Sequence, residues 1–206
     1  DISKDKKSFS SMRMTFFLFC TKQIQSMAKI ILYSAISLDY QIARSDGSID
    51  WLHDPDYELE GEDFGYQAFY QSIGYTLMGN NTYRQILAMD VPFPYLDTEN
   101  YVFSRFKDTR DTEHVKFAKG KILDFVPQLK ERAEKDIWLI GGGQINSHLL
   151  KAGLIDELIL TYIPVIIGEG IPLFSGKDTQ SKWTLQHSMT YPNGFVQVTY
   201  NFRQPK

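Results

Sequence analysis

The sequence of 206 residues contains a single cysteine, Cys20, and only four histidines. One cysteine cannot form an intramolecular disulfide, and the histidines lack HxH or HxxxH spacing, so disulfide frameworks and Cys/His metal sites are excluded. Basic residues are not in excess, since 22 Lys and Arg stand against 25 Asp and Glu. A net charge of −3 provides no broad field for a nucleic-acid backbone. We therefore expect no metal, no nucleic-acid partner and a reducing, cytoplasmic compartment.

Long apolar runs are also missing. The N-terminal apolar patch, Met14 to Cys20, is too short to span a bilayer, so we expect no membrane association. A charged, Ser-rich segment precedes this patch and a polar stretch follows it, whereas Met27 leads directly into an apolar strand pattern. We interpret residues 1–26 as a leader or upstream extension outside the fold. Residues 27–206 are long enough for one well-cored domain.

Strand and helix patterns alternate through the first two thirds of this domain. The run 29–38 is almost continuously apolar, which is typical of a strand buried on both faces of a helix-covered sheet. Further strands are predicted at 75–78, 101–103, 115–118 and 137–140, and helices at 64–73, 80–89, 123–135 and 144–151.

The last third changes to strand patterns alone, at 157–167, 183–190 and 195–203. Pro192, Asn193 and Gly194 form a turn signal between the last two. Pro164 cannot donate a ladder hydrogen bond, so we expect a bulge or an edge position there. The predicted fold class is α/β, with a mainly parallel central sheet that ends in an antiparallel C-terminal hairpin.

Three glycines, Gly141 to Gly143, follow the predicted strand 137–140 and precede a helix. Glycine lets the backbone approach a ligand closely, and a helix N-terminus offers unpaired N–H groups and partial positive charge. A bound pyrophosphate suits this geometry. A simple strand-to-helix turn is the alternative.

Two similar turns strengthen the nucleotide interpretation. Gly79 ends a strand before the helix start 80–82, although this pattern also suits a simple capped helix. Ser104 and Arg105 follow the strand 101–103. The alternative is that Arg105 is an ordinary solvent-exposed surface residue. Ligands of open α/β sheets gather at the carboxyl ends of strands, so three such turns together indicate an anionic ligand.

The order of these motifs resembles the dihydrofolate reductase superfamily. The resemblance runs from Met27 to the C terminus and rests on the segments 78–83, 140–143 and 158–163. Ser37-Leu38-Asp39 and the pattern 156–174 look more like the C-terminal reductase domain of the bifunctional riboflavin-biosynthesis deaminase-reductases. The resemblance implies a three-layer, dihydrofolate-reductase-like fold and an NADPH-dependent reductase.

By this resemblance the diphosphate lies on Gly142 and Gly143, and a cis peptide joins two of the glycines. Ser104 and Arg105 face the 2′-phosphate of NADPH. Dihydrofolate reductases often carry an arginine where this chain has Asn80, so the preference for NADPH over NADH rests on Arg105. The full set of predicted cofactor residues is Ala35, Ile42, Gly79, Asn80, Asn81, Thr82, Ser104, Arg105, Ile140, Gly142, Gly143, Gln144 and Ile145.

The resemblance leaves two carboxylates open for the substrate. Asp63 has the spacing of the acid that holds the pterin in dihydrofolate reductases, and Thr161 would hydrogen-bond it; the alternative is that Asp63 caps its helix. Asp39 is the candidate from the riboflavin branch, where glycine commonly follows this residue instead of Tyr40. Trp51 could cover the nicotinamide or simply be a packed aromatic residue.

We therefore expect hydride transfer from NADPH to a C=N or C=O bond of a small heterocyclic or ribosylamino-pyrimidine-like substrate. A dihydrofolate reductase is the closest alternative, and an NADPH-binding protein without turnover is the second. The resembling reductases commonly pair through their C-terminal strands, so the resemblance also predicts a homodimer.

Overall fold

A computed structural model of the chain describes residues 27–89, 91–106, 108–176 and 180–203. The predicted leader, 1–26, lies outside these residues. Two short 3-10 turns lie at Asp50–Leu52 and Pro55–Tyr57. In chain order the other elements are β1 (Ile30–Ser37), β2 (Gln41–Arg44), α1 (Tyr66–Ser72), β3 (Ile73–Gly79), α2 (Asn80–Ala88), β4 (Glu99–Phe103), β5 (Lys116–Phe117), α3 (Ile122–Arg132), β6 (Asp136–Gly141), α4 (Gly143–Lys151), β7 (Glu157–Ile163), β8 (Gly170–Pro172), β9 (Trp183–Thr190) and β10 (Val196–Phe202).

Within the described residues, eight strands form one sheet in the order β5-β4-β3-β6-β1-β7-β10-β9. Every neighbouring pair from β5 to β7 is parallel. The pairs β7–β10 and β10–β9 are antiparallel. The remaining strands, β2 and β8, form a small antiparallel ribbon. The predicted fold class is confirmed, including the antiparallel C-terminal hairpin.

The central strand β1 separates two apolar layers, because successive side chains of a strand point to opposite faces. Leu32 belongs to the larger cluster, together with Leu129 of α3 and Leu149 of α4. Ile31 belongs to the opposite cluster, together with Phe69 of α1. Burial of both faces explains why the sequence of β1 is almost continuously apolar.

Several predicted boundaries were wrong for physical reasons. The helix predicted at 64–73 is only α1, because Ile73 is buried and begins β3. The strand predicted at 157–167 ends at Ile163, and Pro164 occupies neither a bulge nor an edge because the chain turns there, with Val165 N donating to Ile163 O at 2.7 Å. The short strands β2 and β8 were missed, since three or four residues carry little periodicity.

The turn between β9 and β10 was predicted correctly. Gly194 N donates to Tyr191 O at 3.0 Å, and Gly194 has a φ of 87°, which few other residues adopt. The turn places β9 at the edge of the sheet and β10 against β7. It therefore carries β10 side chains to the carboxyl end of β7, where the candidate site lies.

Candidate functional site

The two glycine-terminated strands β3 and β6 are parallel neighbours, so their carboxyl ends meet at one edge of the sheet. A Cβ built on Gly79 would lie 3.8 Å from Gly141 O. Gly79 is the N-cap of α2 and Gly142 is the N-cap of α4, and neither helix receives a side-chain cap. Two helix starts with uncapped N–H groups thus lie side by side, as an extended diphosphate requires.

Gly142 lies between residues from two other parts of the fold. A Cβ built on it would lie 3.4 Å from Ile42 Cδ1 and 3.5 Å from Thr82 Oγ1. Its φ of −87° is accessible to other residues and a single Cβ makes ordinary contacts, so only a larger side chain would fill the space between Ile42 and Thr82. The neighbouring Gly143 packs against the backbone of β8, where a side chain would overlap Pro172 O and Ser175 Oγ. The Gly141–Gly142 peptide is cis, as the resemblance implies.

The third predicted turn lies beside the first two. β4 is parallel to β3, and Phe103 is paired with Gly79, which places Ser104 and Arg105 next to the start of α2. Arg105 is exposed, and Ser104 Oγ accepts a hydrogen bond from Phe106 N at 3.0 Å. The fold therefore brings the predicted cofactor turns to one sheet edge. Of the remaining predicted cofactor residues, Ile145 is buried, Ala35, Asn80 and Ile140 are partly buried, and Asn81 and Gln144 are exposed.

A row of side chains crosses three adjacent strands beyond this edge. Thr161 of β7 is paired with Ala35 of β1 on one side and with Gln197 of β10 on the other. Gln197 Nε2 donates to Thr161 Oγ1 at 3.1 Å and to Phe64 O at 3.0 Å. The expected hydrogen bond between Thr161 and Asp63 is absent from the described residues, because the two Asp63 oxygens accept from the Gly65 and Gln67 amides instead. Sequence reasoning missed Gln197, because β10 alternates polar and apolar residues and nothing in the sequence distinguishes Gln197 from Thr199 or Asn201.

Asp63 lies three residues before α1, whose N-cap is Gly65, and its carboxylate accepts hydrogen bonds from amides at the helix start. Its Oδ1 accepts a hydrogen bond from Gly65 N and its Oδ2 accepts one from Gln67 N, both at 2.9 Å. These amides, first that of Gln67, lower the pKa of the Asp63 carboxyl. The carboxylate thus has a structural partner on each oxygen. Its predicted contact with substrate stays a prediction.

Asp39 joins the end of β1 to the loop before β8. Ser37 Oγ donates to Asp39 Oδ1 at 2.6 Å, and the amide of Gly168 donates to Oδ2 at 2.9 Å. The amide of Ile167 makes a longer contact of 3.3 Å to Oδ1. The Ser37 hydroxyl and then these amides lower the pKa of Asp39. The following residue, Tyr40, has a φ of 62°, which explains why glycine suits this position in the resembling reductases.

An aromatic cluster closes the opposite side of the row. Trp51 is 4% exposed and packs with Ile163 and Phe195, next to Ala35. Trp51 Nε1 has no hydrogen-bond partner among the described residues. Burial raises the pKa of Tyr33, whose hydroxyl donates to Phe64 O at 3.3 Å, to about 12, so this hydroxyl stays protonated at neutral pH. Trp51 is a packed aromatic residue that also offers an unpaired donor.

The described residues contain no group of three or more His, Cys, Asp or Glu that could hold a metal ion. Among their helices, none combines the length and the apolar character needed to cross a membrane.

Residues 28–197 match the family model described as the RibD C-terminal domain. The chain belongs to this family. Membership supports a riboflavin-biosynthesis-type reductase at the level of the family. The uncharacterized protein YwjB of Bacillus subtilis (strain 168) is 39% identical over 173 residues, which cover 84% of this chain and 97% of YwjB.

Solved structures agree with the fold. A protein from Shewanella sp. PV-4, provisionally named a riboflavin biosynthesis protein, has a TM-score of 0.75 and 29% identity, covering 86% of this chain and all of that one. The diaminohydroxyphosphoribosylaminopyrimidine deaminase/5-amino-6-(5-phosphoribosylamino)uracil reductase of Thermotoga maritima has a TM-score of 0.64 and 16% identity, over 87% and 58% of the two chains. Dihydrofolate reductase from Enterococcus faecalis, complexed with NADP(H), has a TM-score of 0.57 and 14% identity, and the match covers 85% of this chain and 97% of that one. The fold is therefore dihydrofolate-reductase-like.

Proposed function

We propose that this chain is an NADPH-dependent reductase that transfers hydride to a C=N or C=O bond of a small heterocyclic or ribosylamino-pyrimidine-like substrate. The observation that carries the proposal is the pair of uncapped helix starts behind Gly79 and Gly142, side by side at one sheet edge. Membership in the RibD C-terminal domain family supports the same reaction class.

The residues at this edge fit NADPH. The first amides of α4 and α2 would hold the diphosphate, and Thr82 Oγ1 stands beside the space over Gly142. Arg105 and Ser104 would bind the 2′-phosphate through charge-assisted and neutral hydrogen bonds. Ile42 and Ala35 would flank the nicotinamide and exclude water. When bound, the cofactor supplies the hydride, and the protein supplies position and a dry site.

The polar wall of the proposed substrate site consists of Thr161, Gln197 and Tyr33. Thr161 is 6% exposed and held by Gln197, so its position beside Ala35 is fixed. Such preorganised groups orient a planar ring without further loss of entropy. The wall would hold the substrate against the face of the nicotinamide that Ala35 leaves open.

The proton for the reduced substrate comes, in this proposal, from water. Asp39 and Asp63 both accept hydrogen bonds through both oxygens, and both carboxyl groups have a lowered pKa. Each is therefore ionised at neutral pH and cannot donate a proton there. A water molecule bound at Thr161 and Gln197 would supply this proton instead.

Dihydrofolate reduction is the second candidate. It requires a carboxylate beside the pterin, whereas Asp63 accepts hydrogen bonds from amides at the start of α1 and Thr161 is hydrogen-bonded to Gln197. The riboflavin-type reaction is therefore the first choice.

A substrate screen tests the function. Purified protein is incubated with NADPH and with pterins, pyrimidines and simple carbonyl compounds, and NADPH absorbance is followed. We expect oxidation with a pyrimidine. Tight NADPH binding without oxidation of any compound would support the non-turnover alternative, and failure to bind NADPH would contradict the whole proposal.

A further inference from the structure

Asn146 is a buried polar residue in the first turn of α4. It is 1% exposed, and its helix neighbours Ile145 and Leu149 belong to the larger apolar cluster. Its Nδ2 donates to Leu173 O at 2.9 Å, whereas its Oδ1 has no hydrogen-bond partner among the described residues. An unpaired buried acceptor costs stability, and asparagine favours helix formation less than alanine or leucine. Stability alone therefore does not account for an asparagine at this position.

The amide group of Asn146 lies between the glycine turn and the chain after β8. Because Leu173 O can only accept a hydrogen bond, the amide nitrogen must face it. On the other side, a Cβ built on Gly141 would lie 3.1 Å from Asn146 Oδ1 and 3.3 Å from Nδ2. Gly141 also has a φ of 108°, so a glycine suits this position on both counts. Asn146 thus joins the first glycine of the turn to a distant part of the chain.

The segment 173–176, directly after β8, is bonded to the start of α4 at two further points. Ser175 N donates to Gly143 O at 3.2 Å. Ser147 Oγ donates to the same carbonyl at 2.8 Å and accepts a hydrogen bond from Gly176 N at 3.0 Å. The Gly143 carbonyl is therefore held by this segment and by a side chain of its own helix.

The direction of the Gly143 carbonyl sets the direction of an amide at the candidate diphosphate site. Gly143 O and Gln144 N belong to one planar peptide, in which the C=O and the N–H point in opposite directions. The Gln144 amide is among the first amides of α4, which have no acceptor within the helix. The first amide with such an acceptor is that of Asn146, which donates to Gly142 O at 3.1 Å. A carbonyl held towards the segment 173–176 therefore holds the Gln144 amide towards the opposite side.

Building on the proposed function, we propose that Asn146 is a positioning residue for the cofactor. By holding Leu173 O, it keeps the segment 173–176 seated against the start of α4, and the seated segment keeps the Gln144 amide directed at the diphosphate. Donors that are fixed before a ligand arrives bind it more tightly, because less freedom is lost on binding.

Asn146 is the stronger of the two side-chain anchors of this segment. Its bond to Leu173 O is buried, and hydrogen bonds are electrostatically stronger in such surroundings. The bond from Gly176 N to Ser147 Oγ is exposed, so water competes with it. We therefore expect the loss of the Asn146 side chain to affect the cofactor site more than the loss of the Ser147 hydroxyl.

Alanine variants at both anchors test the inference. The Kd of NADP⁺ is measured by calorimetry on the full chain, at a temperature well below the melting temperature. Asn146→Ala should weaken binding roughly three- to tenfold, which corresponds to the net effect of one hydrogen bond, and Ser147→Ala should weaken it less. Alanine suits a helix, so both variants should fold, and circular dichroism checks this.

Lys130→Met is the matched control for a loss of stability. Lys130 Nζ lies 2.6 Å from Asp156 Oδ2, which also accepts a hydrogen bond from Ile30 N at 2.7 Å. This group lies at the amino ends of β1 and β7, at the sheet edge opposite the candidate cofactor site. Removing one partner of a largely buried ion pair should lower the melting temperature at least as much as Asn146→Ala does. The Kd of NADP⁺ should stay unchanged.

Hydrogen exchange provides a readout that needs no cofactor. In the free protein, the amides of Ser175 and Gly176 should exchange faster in Asn146→Ala than in the wild type, because the segment has lost its buried anchor. Lys130→Met should leave their exchange unchanged. In the wild type, saturating NADP⁺ should slow the exchange of these two amides.

Wild-type affinity for NADP⁺ in Asn146→Ala would overturn the inference. An equal loss of affinity in Lys130→Met, or unchanged exchange of the Ser175 and Gly176 amides in Asn146→Ala, would overturn it as well. A wild-type chain that does not bind NADP⁺ would contradict the proposed function itself. The two failures are therefore distinguishable.

Discussion

Gly142 and Thr82 are neighbours in space although they begin different helices, because a Cβ on Gly142 would lie only 3.5 Å from Thr82 Oγ1. The start of α4 therefore lies beside the first turn of α2. Any anion that binds the amides of one helix is therefore within reach of the other. This relationship turns two ordinary strand-to-helix turns into one candidate diphosphate site.

The first prediction concerns Gly142→Val. The backbone of Gly142, with a φ of −87° and a ψ of −159°, accepts a side chain, so the variant should fold. Its two γ carbons would fill the space between Ile42 and Thr82. We expect loss of NADPH binding, at least roughly 100-fold in Kd, with an unchanged circular dichroism spectrum. Fluorescence titration with NADPH gives the affinity.

Gly142→Ala is the matched control. Its single Cβ would meet Ile42 Cδ1 at 3.4 Å, an ordinary contact, so the variant should keep most of its affinity. Normal NADPH binding by folded Gly142→Val would show that the glycines form only a turn.

The second prediction concerns cofactor choice. Arg105 is exposed next to the start of α2, where the proposed cofactor would place its 2′-phosphate. A charge-assisted hydrogen bond contributes about 1.5–3 kcal/mol, so Arg105→Ala should reduce the preference for NADPH over NADH by roughly ten- to a hundredfold. Parallel titrations with both cofactors measure this ratio. Arg110→Ala removes another exposed arginine and should leave the ratio unchanged; an equal effect of the two variants would refute the assignment.

The third prediction compares Asp39 with Asp63. Among the described residues, the Asp63 carboxylate accepts hydrogen bonds only from the Gly65 and Gln67 amides at the start of α1, so Asp63→Asn should be mild in kcat/KM. Asp39→Asn loses the ionic acceptor that ties Ser37 at the end of β1 to Gly168, so the groups around the site shift and kcat/KM should fall roughly 10²-fold. Steady-state kinetics on one working substrate and melting temperatures separate rate from stability. A large loss of kcat/KM in Asp63→Asn together with a small loss in Asp39→Asn would favour dihydrofolate reduction instead.

Part of this site was predictable from sequence because its signals are local. Gly79 and Gly141 to Gly143 each end an apolar strand before a helix, and both turns lie where they were expected. The partner of Thr161 was not predictable. Gln197 reaches Thr161 only because β10 pairs with β7 in one register. That register is determined by packing between residues that are far apart in the sequence.

Asp63 shows the other limit of sequence reasoning. The same spacing suits a helix cap and a substrate carboxylate, because both place an acid at a helix start. Only the positions of the Gly65 and Gln67 amides show that the capping bonds exist.

The fourth prediction concerns acid stability. The amides of Gln67 and Gly65 lower the pKa of Asp63 in the folded chain below its ordinary value of 3.8. A carboxyl group with a lowered folded pKa stabilises the fold above its unfolded pKa, and this stability is lost as the pH falls through the folded pKa. The melting temperature should therefore fall below about pH 4, and Asp63→Asn should show a smaller fall. Differential scanning fluorimetry between roughly pH 2 and pH 7 measures the melting temperatures of the wild type and of Asp63→Asn. An equal fall in melting temperature at acid pH in the two proteins would contradict the prediction.

The fifth prediction is a homodimer built through the C-terminal strands. β9 lies at the edge of the sheet, and every one of its residues except Trp183 is exposed in the described chain. Leu185 and Met189 are 51% and 44% exposed on this strand. An edge strand of eight residues with exposed apolar side chains is a template for pairing, and a second copy offers a matching strand through two-fold symmetry.

Light scattering at micromolar concentration should therefore give twice the chain mass. Leu185→Glu/Met189→Glu should give monomers, because two buried carboxylates per subunit would face each other across the pair. Leu123→Glu, at an equally exposed leucine of α3, should leave the dimer intact. A wild-type monomer would contradict the dimer outright. A dimer that survives the double variant but dissociates in Leu123→Glu would place the interface on the α3 layer, which would leave the β9 edge free for solvent.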